Sequence, residues 1–481
     1  MWGGVGARGW PRPLGLEGIE AIVFRTVGDQ PTLWESILPE ECLRLPVELE
    51  LVDRLLDDPA FFDPFRPHFD PAVGRPSIPM ETYLRLMFLK FRYRLGYESL
   101  CREVADSISW RRFARIPLGG RVPHPTTLMK ITTRCGEAAV AGLNETLLAK
   151  AAGQRLLRTH KIRADTTVVP ADVDYPTDSG LLAKAVAKMG RTVRRVQGAG
   201  AATRTRYRDR RRSAGRRVRA IASKLRLRGD ESRAATRRLT GELAELAAKT
   251  MADAAAVLRN ARRRLRHGGD TVGGRLRRAV DDLTELIERT SKVVAQTRTR
   301  LSGDTPDGAT RLVSLHDPDA RPIRKGRLGK PVEFGYKAQV VDNPDGIVLD
   351  HTVEIGAPPD APQLAPAIAR IAARTGKPPR AVTADRGYGE AGVEDDLHAL
   401  GVNRVVIPRK AKPSAARREH EHRRPFRRLV KWRTGSEGRI STLKRGYGWD
   451  RSQLDGIHGA RIWCGHGVFA HNLVKISALT T

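Results

Sequence analysis

The sequence predicts a mixed α/β fold, preceded by an all-α region and interrupted by a long, basic, helical insertion. Three observations carry that reading. Apolar residues recur at three- and four-residue steps up to about Gly153, the period switches to two at Lys161, and strand-like runs alternate with helical ones again only after about Val332. With 481 residues the chain has room for about three domains at roughly 150 residues each.

Residues 1–38 read as a loose extension, since those up to about Gln30 carry no periodicity. Residues 39–153 read as helical. Pro79 stands where a first helical residue tolerates a missing N–H, and Leu84, Met87, Phe88 and Phe91 then form one buried stripe. A helix from about Glu98 to Asp106, the segment Ser109 to Ala114, a turn at Gly119-Gly120 and a helix opened by Pro125 follow. Short helices broken by tight turns fit a helix-turn-helix-like DNA reader, and they also fit an ordinary bundle with a basic face. Arg111, Arg112, Arg115 and Arg121 tilt the balance toward phosphate. Lys130 and Arg134, on the helix opened by Pro125, are candidate DNA contacts.

The α/β part begins in 154–180, where Ile162, Ala164, Thr166 and Val168 alternate with Arg163, Asp165 and Thr167 over Lys161 to Pro170. It resumes in 306–481. A hairpin of Val332 to Val341 and Gly346 to Ile355 turns at Asp342 to Asp345. A helix from about Ala361 to Thr375, a short run Arg380 to Thr383 leading into Asp385, a helix near Glu390 to Leu400 and a strand Arg404 to Ile407 complete the layout. The stretch Ile462 to Leu473 reads as a buried closing helix.

The insertion, 181–305, almost lacks aromatics. Leu239 through Leu258 and Leu276 through Ile287 are spaced to pair as an antiparallel coiled coil, serving DNA contact or dimerisation. The whole chain has 86 Lys and Arg against 54 Asp and Glu, a net charge of +32. From Leu181 to Arg300 there are about 33 Lys and Arg against about 11 Asp and Glu, so most of the surplus is local. Nucleic acid is the partner such charge fits best. The four cysteines, Cys42, Cys101, Cys135 and Cys464, have neither disulfide-framework nor zinc-ribbon spacing, which points to a reducing cytoplasm. His420 with His422, and Cys464 with His466 and His471, also lack the paired spacing of a zinc finger. No apolar run is long enough to span a bilayer, and Met1 to Pro13 lacks a signal-peptide core.

Phosphoryl transfer with Mg²⁺ calls for oxygen ligands. Asp165 stands inside a strand, where an isolated carboxylate is costly to bury unless a cation compensates it. Asp385 follows a short strand, at the carboxyl end where α/β sites gather. Glu437 lies four residues after Arg433 and seven before Lys444, so on a helix the three share a face. Each has a bland reading of its own, as a cap, a turn residue or a surface ion pair. The three together point to metal-dependent chemistry on a phosphodiester. Asp172, Asp174 and Asp178 are alternative ligands, and Trp449 reads as core or as a base-stacking ring.

Asp165 in A-D-T-T-V-V, Asp385 in T-A-D-R-G-Y-G and Arg433-x3-Glu437-x6-Lys444 resemble the Asp-Asp-Glu (DDE) insertion-sequence transposases, whose third motif reads Y-x2-R-x3-E-x6-K. Val430 takes the tyrosine position here. The likeness runs from about Gly74, since Gly74-Arg75-Pro76-Ser77 through Tyr83, Tyr97 and Leu100 is similar to the helical N-terminal domain of these enzymes. It implies a ribonuclease-H-like catalytic fold interrupted after its first strand. It also implies two Mg²⁺ or Mn²⁺ ions held by Asp165, Asp385 and Glu437, with Arg433 and Lys444 on phosphates; Arg386 and Arg439, basic residues beside these motif positions, are further candidate DNA contacts. The expected substrates are the element's terminal inverted repeats and target DNA, bound by a homodimer associated with the nucleoid. A catalytically inactive, DNA-binding descendant is the alternative.

Overall fold

The computed structural model describes residues 22–27, 37–227, 229–267, 273–325 and 331–480. Two compact units divide it: Met1–Leu156 with Phe469–Thr481, and Leu157–Val468.

In the first unit Ile22–Val23 (β1) pairs in parallel with Arg75–Pro76 (β2), so this part of the predicted loose extension has a partner. The rest of 1–21 and residues 28–36 lie outside the described residues. Helices α1 (Val47–Leu56), α2 (Met80–Arg92), α3 (Tyr97–Asp106), α4 (Ile108–Phe113) and α5 (Pro125–Gly153) follow. His124 caps α5 by accepting from Thr126 N, Pro125 takes its first turn, and Gly136, with φ of 66°, breaks it in two. The expected single stripe on α2 is too narrow a description. Every residue from Met80 to Phe91 is buried, polar ones included, because each buried cation has compensation. Arg85 lies 2.6 Å from both Asp53 and Asp57, and Lys90 sits over the rings of Phe91 (4.8 Å) and Tyr97 (4.6 Å). Two of the arginines that tilted this region toward DNA are also engaged within the fold. Arg111 donates to the carbonyls of Pro117 (3.1 Å) and Gly120 (3.0 Å), and Arg115 pairs with Asp57.

The second unit holds a six-stranded mixed sheet of β3 (Lys161–Pro170), β4 (Arg321–Arg324), β5 (Val332–Asp342), β6 (Val348–Ile355), β7 (Ala381–Thr383) and β8 (Arg404–Val406). Strand β3 is central, with β5 antiparallel on one side and β7 parallel on the other; β8 continues parallel beyond β7. Both β4 and β6 pair with the far edge of β5, at its two ends. Strand β4 went unseen in the sequence because two Arg and a Pro in four residues show no alternation, and an edge strand tolerates that Pro. The alternation in β3 does not mark an exposed face. Ile162, Arg163, Ala164 and Asp165 are all buried, as a strand covered on both sides requires.

Between β3 and β4 come α6 (Asp178–Gly198), α7 (Arg211–Leu225), α8 (Asp230–His267) and α9 (Gly274–Leu301). These four helices share one apolar core, so the insertion is not the simple two-helix pair that the Leu spacing suggested. The reason lies in α6, whose buried stripe of Leu182, Val186, Met189 and Val193 packs with Leu243, Ala247 and Val257 of α8 and with Val280, Leu283 and Val293 of α9. Helices α10 (Ala361–Thr375), α11 (Val393–Ala399), α12 (Ala415–His422), α13 (Arg424–Arg433), α14 (Gly435–Gly446) and α15 (Gly456–Ser477) follow the hairpin. No helix among the described residues is long and apolar enough to cross a membrane.

Candidate active site

The site is assembled on the central strand. Arg163 faces Asp342 on β5 and Thr383 on β7 in register. Two residues further along stand Asp165 on β3 and Asp385 just past the end of β7. Parallel pairing therefore brings these acids level on neighbouring chain segments.

Arg163 ties the third segment to the sheet. Its Nε and Nη2 donate to Asp342 at 2.9 and 2.8 Å, its Nη1 donates to Trp432 O at 2.9 Å, and its guanidinium lies 4.7 Å from the Trp432 ring centroid. At the junction between α13 and α14, Gly435 packs so closely that a Cβ there would fall within that guanidinium. Arg433, the last residue of α13, then reaches Asp165, with Nη1 donating to Oδ2 at 3.2 Å. Glu437 occupies the first turn of α14, where a negative charge is favoured, and its side chain is exposed.

Burial raises the Asp165 carboxyl to about 6. Arg433 opposes the rise, whereas the charges of Asp385 and Glu437 add to it. Asp165 Oδ1 also accepts from Thr166 N at 2.8 Å. Asp385 Oδ1 accepts from Gly387 N at 2.8 Å, which starts a short turn of helix over Arg386–Tyr388. Among the described residues no three His, Cys, Asp or Glu side chains are arranged as they stand to hold a metal ion. The donor set nevertheless suits a hard divalent cation. It is all oxygen, and the mutual repulsion of its carboxylates is the energy that such a cation would relieve.

Two family models match the chain: a transposase domain (DUF772) over residues 36–134, and a transposase DDE domain over residues 309–473. The chain belongs to the DDE-type transposases. No curated protein and no solved structure gives a significant match. The DDE match marks the transposase as one of a family of polynucleotidyl transferases and endonucleases that act on DNA.

The other residues singled out in this transposase have varied surroundings. Lys444 is half-buried and Arg386 is exposed. Arg439 is half-buried beside Asp342 at 3.5 Å, over Gly346, whose left-handed φ of 78° and missing Cβ leave room for it. Lys130 is exposed, and Arg134 lies 6.0 Å from the Phe69 ring centroid. Asp172 faces Arg451 at 3.1 Å, Asp174 pairs with Lys184, and buried Asp178 pairs with Arg300. Trp449 is fully buried and donates to Cys464 O at 3.1 Å, so it is a core residue. The sequence reading passed over Arg163, Asp342 and Trp432. The signal was available in Arg163, a cation two residues from Asp165 on the same face of a central strand.

Proposed function

We propose that this transposase binds the inverted ends of its own insertion sequence, cuts them and joins them to target DNA. The observation that carries the reading is Asp165 itself: a buried carboxylate on the central strand, bonded to Arg433 and crowded by the charges of Asp385 and Glu437 from two distant segments. The strand order β6–β5–β3–β7–β8, antiparallel through β3 and parallel after it, supports a ribonuclease-H-like sheet. In this reading the catalytic fold is interrupted after its first strand by the insertion.

Asp165, Asp385 and Glu437 would hold the divalent cations, Mg²⁺ or Mn²⁺. When bound, two such ions supply charge neutralisation and activation of the attacking oxygen. The chain's own groups do the rest. Arg433 keeps Asp165 oriented and more acidic than burial alone would leave it. Arg433 and Lys444 hold phosphate oxygens beside the cut, and Arg386, Lys130 and Arg134 add contacts to the DNA backbone. In the first reaction water attacks the end phosphate, the P–O3′ bond breaks and a 3′-hydroxyl is released. In the second that hydroxyl attacks a phosphate of the target and displaces its 3′ oxygen. A homodimer would present two such sites to the two ends.

The test uses purified full chain and labelled DNA carrying the sequences that flank its gene, in Mg²⁺, Mn²⁺ or EDTA. Metal-dependent nicks at the ends, lost in Asp165→Ala, Asp385→Ala and Glu437→Ala, are the expected result. Binding without nicks in either metal would leave a DNA-binding descendant, and equal cutting of DNA lacking the ends would leave a general nuclease.

A further inference from the structure

A fourth carboxylate lies against the site. Asp360, immediately before α10, and Asp385, after β7, approach the same glycine from two directions. Asp360 Oδ2 and Asp385 Oδ1 each lie 2.9 Å from the point where a Cβ on Gly387 would stand. The two like-charged groups therefore flank one point, and a Cβ placed there would crowd both. Lys337 of β5 stands 2.7 Å from Asp360 Oδ1 while donating to Pro358 O at 2.6 Å. That cation serves the outer oxygen of Asp360, and Oδ2 remains beside Asp385.

The second observation is independent of the acids. Tyr388 is fully buried, and its hydroxyl has no hydrogen-bond partner among the described residues. A buried hydroxyl without a partner is costly, and such groups call for an explanation. Besides burial, the groups that act on this hydroxyl are the charges of Asp360, Asp165 and Asp385. A buried donor with no acceptor thus lies within electrostatic reach of three carboxylates.

We propose that Asp360 is a fourth ligand carboxylate of the divalent-cation site, next to Asp385, with Tyr388 as the donor that fixes the carboxylates around a bound ion. This deepens the transposase reading and rests on it. A divalent cation held by Asp360 and Asp385 would turn a repulsive pair into a chelating one. The carboxylate oxygens turned away from the ion then become acceptors for Tyr388. Glycine at 387 suits the site because a side chain there would crowd both acids.

The experiment titrates metal-free full chain with Mn²⁺ alone, followed by calorimetry and by the electron-spin signal of free Mn²⁺, with no DNA and no turnover. Asp360→Asn should weaken binding about tenfold or more, and Tyr388→Phe by a smaller factor of about three to ten. Lys337→Gln removes the ion pair and keeps the carboxylate, so it should bind Mn²⁺ as tightly as the parent or more tightly. Parent-like titration by Asp360→Asn overturns the proposal. So does equal weakening by Asp360→Asn and Lys337→Gln, which would make the pair merely structural. Circular dichroism melting of each variant identifies any that fail to fold, and Gly387→Ala, which crowds both acids without removing either, then decides: weakened binding supports the proposal and parent-like binding overturns it. If Asp385→Asn abolishes Mn²⁺ binding and Asp360→Asn does not, this inference alone fails. If the parent binds no Mn²⁺ at all, the reading beneath it fails as well.

Discussion

Arg433 donates to Asp165 across 268 positions of the chain, at 3.2 Å. That bond closes the C-terminal helices onto the first strand of the sheet, and it opposes the burial that raises the carboxyl on which the proposed chemistry depends.

Replacing Asp165 should separate stability from activity. Its carboxyl rises from 3.8 to about 6 on folding, so the folded state binds the proton more tightly. The associated stability is present below about pH 4 and is lost as pH rises through about 6. Asp165→Asn removes that penalty. In metal-free buffer at pH 7 the variant should be more stable, by on the order of 2 kcal/mol, with the advantage gone near pH 3.5. Thermal melts at the two pH values check this, and nicking should be lost at both.

Arg433→Ala should shift the pH profile of cleavage. The guanidinium opposes the effect of burial on Asp165, so its removal moves that carboxyl above about 6. The acidic limb of the nicking rate should then move to higher pH, with Arg433→Lys partly restoring it. An unchanged limb would mean that Asp165 does not control the rate.

Asp342 serves two guanidiniums, that of Arg163 at 2.8 Å and that of Arg439 at 3.5 Å. Asp342→Asn takes one carboxylate charge from both guanidiniums at once, whereas Arg163→Met leaves Asp342 still facing Arg439. The first should cost about 3–5 kcal/mol and the second less. Urea denaturation of the two single variants ranks them, and the reverse order would contradict the geometry.

The glycines of the site should differ in their tolerance of a methyl group. A Cβ on Gly389 would overlap the backbone carbonyl of Pro408, which cannot swing aside, whereas on Gly435 it would meet the end of the Arg163 side chain. Gly435→Ala should cost about 1–3 kcal/mol and Gly389→Ala more, by equilibrium unfolding.

Much of the second unit was legible in the sequence, because hydrophobic period and turn residues are local signals. The strand Lys161–Pro170 and the helix Ala361–Thr375 have in the structure the bounds that the sequence predicts. The hairpin, the short strand before Asp385 and the basic helical insertion were also expected. The motif residues Asp165, Asp385, Arg433, Glu437 and Lys444 were read from their places on strands and a helix and from the resemblance to the DDE transposases. The partners of the basic residues were not legible. Arg111, Arg115 and Arg439 looked alike as positive charges, yet each is engaged inside the fold by carbonyls or by a carboxylate remote in sequence.

What the sequence determined by itself was the order of elements and the chemical types available, since both follow from neighbours a few residues apart. Only the tertiary structure decided which acids stand next to which. Parallel pairing of β3 with β7 levels Asp165 with Asp385, Arg163 and Arg433 bring α13 and α14 to them, and a missing Cβ at Gly387 admits Asp360. Those contacts join positions up to 269 residues apart, and the Coulomb and steric terms that fix them act through space, not along the chain.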